Sequence, residues 1–234
     1  MVVAVILARK GSGKNLRPLG NHPLVAYTFE SARRAKALDF VVVSTDDPGI
    51  SRLADDAGLT VFDRPADLAG PMVSDLPVIV HVLDELAQRG VRLWDDDLVV
   101  LLRPTAPFRR EGEIDHIVAL MQEWEEASSI RSVVRSPAHP RKLYREAGFQ
   151  GLPYTVLLPY TPNHWANGPR QALEPVWRPC GLIDAVRVRW VRAGSCEGPL
   201  VAAYPVEPER AIDLDREIDW VAAEAYVAAQ GLAP

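Results

Sequence analysis

Nowhere in the 234 residues does an apolar run approach the roughly 18 residues that a membrane span requires. Basic character is scarce as well. The 26 Lys and Arg stand against 31 Asp and Glu, a formal net charge of −5 with no basic tail or stripe, which argues against a nucleic-acid partner. Cysteine is limited to Cys180 and Cys196, which lack metal-ligand spacing and are too few for a disulfide framework. A reducing cytoplasm is the expected compartment. The apolar opening stretch has no basic residue before it and no cleavage-like site after it, so it is not expected to be a secretory leader. The five histidines (His22, His81, His116, His139 and His164) are scattered, and none sits beside a partner that would make it a base. Neither repeats nor low-complexity tracts occur. What remains is an ordinary globular composition, 48% hydrophobic and 24% charged, at a length suited to one α/β domain with a small appendage.

The most informative stretch is the opening one. Val2 to Ala8 is apolar and rich in β-branched residues, the pattern of a strand buried on both faces of a parallel sheet. Arg9-Lys-Gly-Ser-Gly-Lys-Asn15 follows at once, with two glycines, a serine and three cations. Glycines let backbone approach a ligand closely and aim several N–H groups at one point, and the cations match a polyanion. Ligands of open α/β sheets sit beyond the carboxyl ends of strands, so this loop reads as a triphosphate cradle; a solvated basic turn is the plain alternative. A P-loop is a near miss, because Ala8 stands in place of the first Gly and Asn15 in place of the magnesium-binding hydroxyl.

Strands and helices then alternate. Helical spacing runs from Pro23 to Ala37, Phe40–Ser44 reads as a strand, and Asp47-Pro48 opens a helix that Gly58 stops. Leu59–Phe62 reads as a short strand, Pro77–Arg89 as a helix, Leu98–Leu102 as a strongly apolar strand and Glu113–Glu125 as a helix. Ser129–Val134, Leu182–Trp190 and Leu200–Tyr204 have strand character, and Ile218–Gln230 is an amphipathic helix. From Ser136 to Pro179 the chain turns dense in Pro, Gly and Tyr, which reads as short strands and turns packed against a partner chain. The fold expected is α/β, a mainly parallel Rossmann-like sheet with helices on both faces, formed by 1–135 and 180–234, with 136–179 as an excursion.

Asp213 and Asp215 form the second informative feature. In an extended segment their spacing puts both carboxylates on one side, as a hard cation would need; the alternative is that they cap the helix that follows. Asp46 and Asp47, at the end of a strand, read as caps of the next helix.

Taken in order, Ala4–Arg9 with Gly11-Ser12 and Lys14-Asn15, then Val43-Ser-Thr-Asp46, Arg64-Pro-Ala-Asp-Leu-Ala69 and Leu102-Arg-Pro-Thr-Ala-Pro-Phe-Arg109, resemble the acylneuraminate and ketodeoxyoctonate cytidylyltransferase family. Pro169-Arg-Gln171, Arg178-Pro-Cys-Gly181 and Ile212-Asp-Leu-Asp215 continue the resemblance over most of the chain. It implies a magnesium-dependent transfer of CMP from CTP to an acidic sugar. Arg9, Ser12, Lys14 and Asn15 match positions that hold the triphosphate and ribose, Arg64 and the backbone of Ala8 match positions near the cytosine, and Asp213 and Asp215 match the Mg²⁺ carboxylates. Arg9, Lys14, Asp213 and Asp215 are the expected catalytic set. Lys142, Arg170 and Arg178 match basic positions around the acceptor, and the excursion matches a dimerisation element, so a homodimer is expected.

The chain also departs from that pattern. The nucleotide loop is short by a Lys and a Pro-containing spacer. Arg103 stands where the family usually has Gln, Cys180 replaces an Asn, Leu182-Ile-Asp184 replaces Ala-Ile-Tyr, and Ser74-Asp75 only partly resembles Thr-Ala-Ser-Ser. These departures cluster on the acceptor side. A guanidinium favours carboxylate, phosphate or phosphonate, so Arg103 is expected to bind the acceptor, with a compensating pair to Asp184 as the alternative. Two other readings remain: a nucleotidyltransferase of the same fold that activates a phosphonate or sugar phosphate with CTP or another nucleotide, and a nucleotide-binding relative with weakened catalysis.

Overall fold

The computed structural model describes residues 1–11, 13–147 and 155–232. Its order is β1 (Val2–Leu7), a short hairpin β2 (Pro18–Leu19) and β3 (His22–Pro23), α1 (Leu24–Arg34), β4 (Phe40–Thr45), α2 (Pro48–Asp56), β5 (Thr60–Asp63) and α3 (Asp75–Gln88). It continues with β6 (Leu98–Leu102), α4 (Glu113–Glu123), β7 (Ser129–Arg135), β8 (Tyr144–Ala147), β9 (Val156–Pro159), β10 (Trp177–Arg187), α5 (Val188–Arg192), β11 (Val201–Pro205) and α6 (Glu217–Gln230). Two compact units form, one from Met1–Val133 with Pro179–Pro234 and one from Val134–Arg178.

The large sheet has seven strands in the order β11-β7-β10-β6-β1-β4-β5. β1 pairs in parallel with β4 on one side and β6 on the other, β4 pairs in parallel with β5, and β11 in parallel with β7. β10 runs antiparallel to β6. The expected mainly parallel sheet is therefore present, with β10 as its reversed member.

β1 is central because both of its faces are apolar. Val3 and Val5 join Val42, Val99 and Leu101 in one core with Ile79, Val82 and Leu86 of α3 and Val188 and Val191 of α5. Ala4 and Ile6 point the other way and are equally excluded from water. A second core joins Leu24 and Tyr27 of α1 to Trp220, Ala223 and Val227 of α6 around Leu19, Phe108 and Leu214.

Two boundaries differ from the sequence reading in ways that shape the site. α3 starts at Asp75, not Pro77, because a proline in the first helical turn only omits an N–H that has no partner within the helix. Asp75 thereby becomes a first-turn acid. The strand read over 182–190 ends at Arg187, where α5 begins. The buried Arg187 guanidinium donates to the carbonyls of Met121 (2.6 Å), Trp124 (3.1 Å) and Ala127 (2.9 Å), so it satisfies the frayed carboxyl end of α4.

A buried ion pair ties the last loop to α4. Arg210 donates to both Glu113 oxygens at 2.8 and 2.7 Å, and its Nη1 also reaches Phe108 O at 3.1 Å. Both side chains are almost fully enclosed, at 4% and 3% exposure. Removing one partner strands the other charge in the interior, so Arg210→Ala should lose about 3–5 kcal/mol in urea unfolding. A loss below about 1 kcal/mol, the size of a surface pair, would contradict this account.

Candidate active site

The loop after β1 is held in shape by its neighbours. The N–H of Ala8 extends the ladder to Ser44 O at 3.1 Å, Gly13 N–H closes a turn on Lys10 O at 2.9 Å, and the Asn15 amide donates to Arg9 O at 3.0 Å. Asp46 does not cap α2; Oδ1 accepts the Lys10 N–H at 2.7 Å, while Asp47 caps α2 through Gly49 N–H at 2.7 Å. Gly11 has φ +38°, and a Cβ there would lie 3.3 Å from Arg9 Cζ, so glycine lets the Arg9 side chain fold across the loop. Ser12 lies outside the described residues. A single 3₁₀ turn, Lys14–Leu16, follows, and α1 starts only at Leu24. A P-loop would open a long helix at its lysine, so that reading is set aside.

Opposite this loop stand Arg103-Pro104-Thr105, leaving β6, and the segment that carries Asp213 and Asp215. Parallel pairing of β1 with β6 brings their carboxyl ends side by side. The third segment is fixed to the second: Leu214 is fully buried and its N–H donates to Thr105 O at 2.9 Å. A cleft of about 190 Å³ results, lined among others by Arg9, Lys10, Lys14, Asp75, Arg103 and Asp215. Across it, Lys14 Nζ meets Asp215 Oδ1 at 2.8 Å over a sequence separation of 201. With 29% and 65% of the two side chains exposed, the pair sits in water, where such contacts are worth only ~0–1 kcal/mol. Stability does not account for this gathering of charge.

Capping does not account for the carboxylates either. The residue that caps α6 is Arg216, whose N–H donates to Asp219 Oδ2 at 2.7 Å. Asp213 has its pKa raised, chiefly by burial and further by the neighbouring Asp215, against a hydrogen bond from Thr105 that favours the carboxylate. Two carboxylates on one short segment are an all-oxygen set, which fits Mg²⁺ shared with phosphate oxygens. Among the described residues no group of three or more His, Cys, Asp or Glu converges, so the remaining ligands of such an ion would be water or substrate.

For Arg103 the sequence reading weighed an acceptor contact against a pair to Asp184; the structure shows that pair and adds a second carboxylate, Asp75. Nη1 meets Asp184 Oδ2 at 2.7 Å and Nη2 meets Asp75 Oδ2 at 2.6 Å. Burial opposes the charge, but Asp184 and Asp75 more than offset it, and the pKa is raised. The register of β10 explains the first contact, since Asp184 sits opposite Leu101, two residues before Arg103. The sequence reading noted Asp75 among the departures but not as a partner of Arg103, because it was placed before α3. The half-buried Arg109, pushed down to about 9 by desolvation, steadies the backbone here through bonds to Arg103 O at 2.8 Å and Leu182 O at 2.6 Å.

The other expected residues are less concentrated. Arg64 is buried, its pKa lowered by that burial, and it donates to Ser44 O at 2.9 Å and Ser44 Oγ at 3.2 Å instead of lining the cleft. With its N–H used by Ser44, Ala8 has only its carbonyl to offer a nucleotide. Lys142, Arg170 and Arg178 belong to the second unit. Lys142 Nζ donates to the carbonyls of Ala166, at 3.0 Å, and Gly168; Arg170 donates to those of Ser136 and Pro137; Arg178 is the second residue of β10, at its exposed end.

A family model described as cytidylyltransferase matches residues 3–136, more than half of the chain. The chain is 28% identical over 224 residues to an N-acylneuraminate cytidylyltransferase of Escherichia coli O18:K1:H7, covering 94% of this chain and 50% of that protein. It is 36% identical over 124 residues to a CMP-N,N'-diacetyllegionaminic acid synthase of Legionella pneumophila, covering 51% of this chain and 52% of that one. The chain thus spans about half the length of the curated relatives it matches. A solved CMP:2-keto-3-deoxy-manno-octonic acid synthetase, complexed with CTP, superposes with a TM-score of 0.65 at 17% identity over 99% of both chains, which establishes the fold.

The raised pKa of Asp213 has a consequence for stability. An acid whose folded pKa lies above its unfolded value costs stability once pH exceeds both, and costs nothing below the unfolded value. In metal-free protein Asp213→Asn should therefore raise Tm at pH 7, by about 2–4 °C for each kcal/mol released, with the gain fading as pH falls below the ordinary carboxylate range. An unchanged or lower Tm at pH 7 would show that Asp213 is stabilising where it stands.

Proposed function

The chain belongs to the cytidylyltransferase family, as the match over residues 3–136 shows, and we propose that it transfers CMP from CTP to a small acidic sugar with release of pyrophosphate. The observation that carries this reading is the meeting of the Arg9–Asn15 loop with the Asp213–Asp215 segment at one cleft, closed by the Lys14–Asp215 contact at 2.8 Å. The names of the relatives support the substrate class, since they include cytidylyltransferases or synthases for N-acylneuraminate, N,N'-diacetyllegionaminic acid and 3-deoxy-manno-octulosonate.

In such a reaction an acceptor hydroxyl attacks the α-phosphorus of CTP in line. The bond from that phosphorus to the bridging oxygen breaks, and pyrophosphate departs with the charge. Positioning and charge neutralisation therefore make up most of the protein's task. Arg9, Lys14 and the glycine-rich backbone would face the leaving pyrophosphate. Asp213 and Asp215 would hold Mg²⁺, which would supply positive charge against the phosphates and acidify the attacking hydroxyl. The hydroxyl proton passes to the Asp213 carboxylate, directly or through water. Use of CTP, a nucleotide of the cytoplasm, supports a cytoplasmic setting for this activity.

The second unit is read as the dimerisation element of a homodimer. It exposes Tyr144, Leu157, Tyr160, Trp165 and Trp177 at 48, 56, 60, 39 and 42%. β8 and β9 form a two-stranded sheet of their own, and such a pair is marginally stable without cover. Apolar exposure on this scale supports a partner surface.

Incubation with each nucleoside triphosphate, Mg²⁺ and a panel of sugar acids should release pyrophosphate with CTP alone. Turnover confined to phosphonates or sugar phosphates would replace the acceptor class, and a nucleoside diphosphate product would overturn the reading. Asp215→Ala should lower kcat by about a hundredfold or more while the protein stays folded, a loss of ~3 kcal/mol in transition-state stabilisation. Sedimentation at micromolar concentration should give a dimer, and an active monomer would remove that part of the proposal.

A further inference from the structure

The two edges of the Arg103 guanidinium are held in different ways. The Nη1 edge is locked: Asp184 is 7% exposed, lies within β10, and also engages Arg131 Nη2 at 3.1 Å and the Ser132 N–H at 3.3 Å. Arg103's own carbonyl is fixed by Arg109, and Gly181, at φ +70°, leaves room for its stem, since a Cβ there would come within 3.3 Å of Arg103 Cδ. The Nη2 edge is different. Its partner Asp75 has 40% of its side chain exposed, is the first residue of α3, and lines the cleft together with Arg103.

A rigid guanidinium with one buried and one exposed carboxylate can exchange only the exposed one. On the facing wall Lys14 pairs with one carboxylate, the exposed Asp215. Arg9 and Lys10 make no ion pair among the described residues, so the cleft as a whole still favours an incoming anion.

We propose that Asp75 is a built-in occupant of an anion subsite: its carboxylate holds the outer edge of Arg103 until the carboxylate of the acceptor takes its place. This rests on the transferase reading for the identity of the anion, but not for the exchange itself. It assigns Asp75 a competing role, setting how tightly the acceptor binds, and leaves Asp184 to keep Arg103 paired when Asp75 lets go. A guanidinium buried without any carboxylate would be costly, and the second carboxylate removes that cost at every stage of the exchange.

The test pairs Asp75→Asn with Arg103→Gln. Charge-assisted hydrogen bonds exceed neutral ones by about a factor of two in strength, so removing the internal competitor should tighten anion binding about five- to tenfold. In steady-state assays with CTP and N-acetylneuraminate or 3-deoxy-manno-octulosonate, Asp75→Asn should lower the acceptor KM by that factor and leave the CTP KM unchanged. Arg103→Gln should raise the acceptor KM tenfold or more. In parallel, thermal-shift titrations with pyruvate and with inorganic phosphate read the subsite without turnover. Asp75→Asn should bind pyruvate five- to tenfold more tightly than the native chain, and Asp75→Asn/Arg103→Gln should lose that gain. Equal pyruvate affinity in the native and Asp75→Asn proteins, or an affinity gain that survives Arg103→Gln, overturns the proposal. A gain for phosphate with none for pyruvate overturns the assignment to a carboxylate. Tightened pyruvate binding without CMP transfer to any sugar acid would count against the transferase reading and uphold the exchange.

Discussion

The site depends on one buried residue placed between two acids. Leu214 is fully enclosed in the core of Leu24, Tyr27, Phe108 and Trp220, and its N–H is spent on Thr105 O. Because side chains alternate along an extended segment, seating Leu214 inward turns Asp213 and Asp215 the other way, toward the loop after β1. The apolar contact thus positions charges that would not assemble by themselves. Arg210, paired with Glu113 and with Phe108 O, anchors the same segment three residues upstream of Asp213. Two kinds of interior contact, one apolar and one ionic, therefore hold a carboxylate pair that gains little from its own surroundings.

The opposing wall is organised by the sheet instead of by a side chain. β1 and β6 run in parallel and adjacent, so their exit loops leave at the same edge. Asp46, at the exit of β4, then pins the Lys10 N–H, and Asn15 pins Arg9 O, so the glycine-rich loop is shaped by the ends of β1 and β4 and by its own amide. The order that results is paid for by backbone hydrogen bonds, which leaves the Arg9 and Lys10 side chains without ion pairs among the described residues. A loop whose backbone is fixed and whose cations face solvent is suited to a polyanion.

Much of this was legible in the residues. β1, β4, β6, α1, α2, α4 and α6 lie within a few residues of where periodicity and caps place them, and the cationic loop and acidic segment were both singled out. What escaped reading was pairwise geometry over long separations. Nothing local distinguishes Asp46 as a loop anchor from Asp47 as a helix cap, because both follow the same strand. Asp75 was hidden by a proline that was taken for a helix start, and its meeting with Arg103 spans 28 residues. Lys142 looked like one of a basic pair; its ammonium is engaged by two carbonyls more than twenty residues away, which no composition rule anticipates.

The departures at 75, 103 and 184 are physically one change. Arg103 alone would bury a cation without a partner, and Asp184 alone would bury an anion beside Arg131 only. Each substitution on its own is costly, and together they form a continuous chain of contacts, Asp75–Arg103–Asp184–Arg131–Glu197, running from the cleft to the far side of β7. Its inner members are closed off by neighbours of opposite charge, while Asp75 and Glu197, at the two ends, are the most exposed carboxylates in it, at 40% and 49%. A chain built this way pairs each of its charges with an opposite one, yet it leaves at the cleft a guanidinium of fixed position whose outer partner is in contact with water. This part of the departure from the family pattern therefore lies in the charge presented at the cleft, with the sheet beneath it left intact.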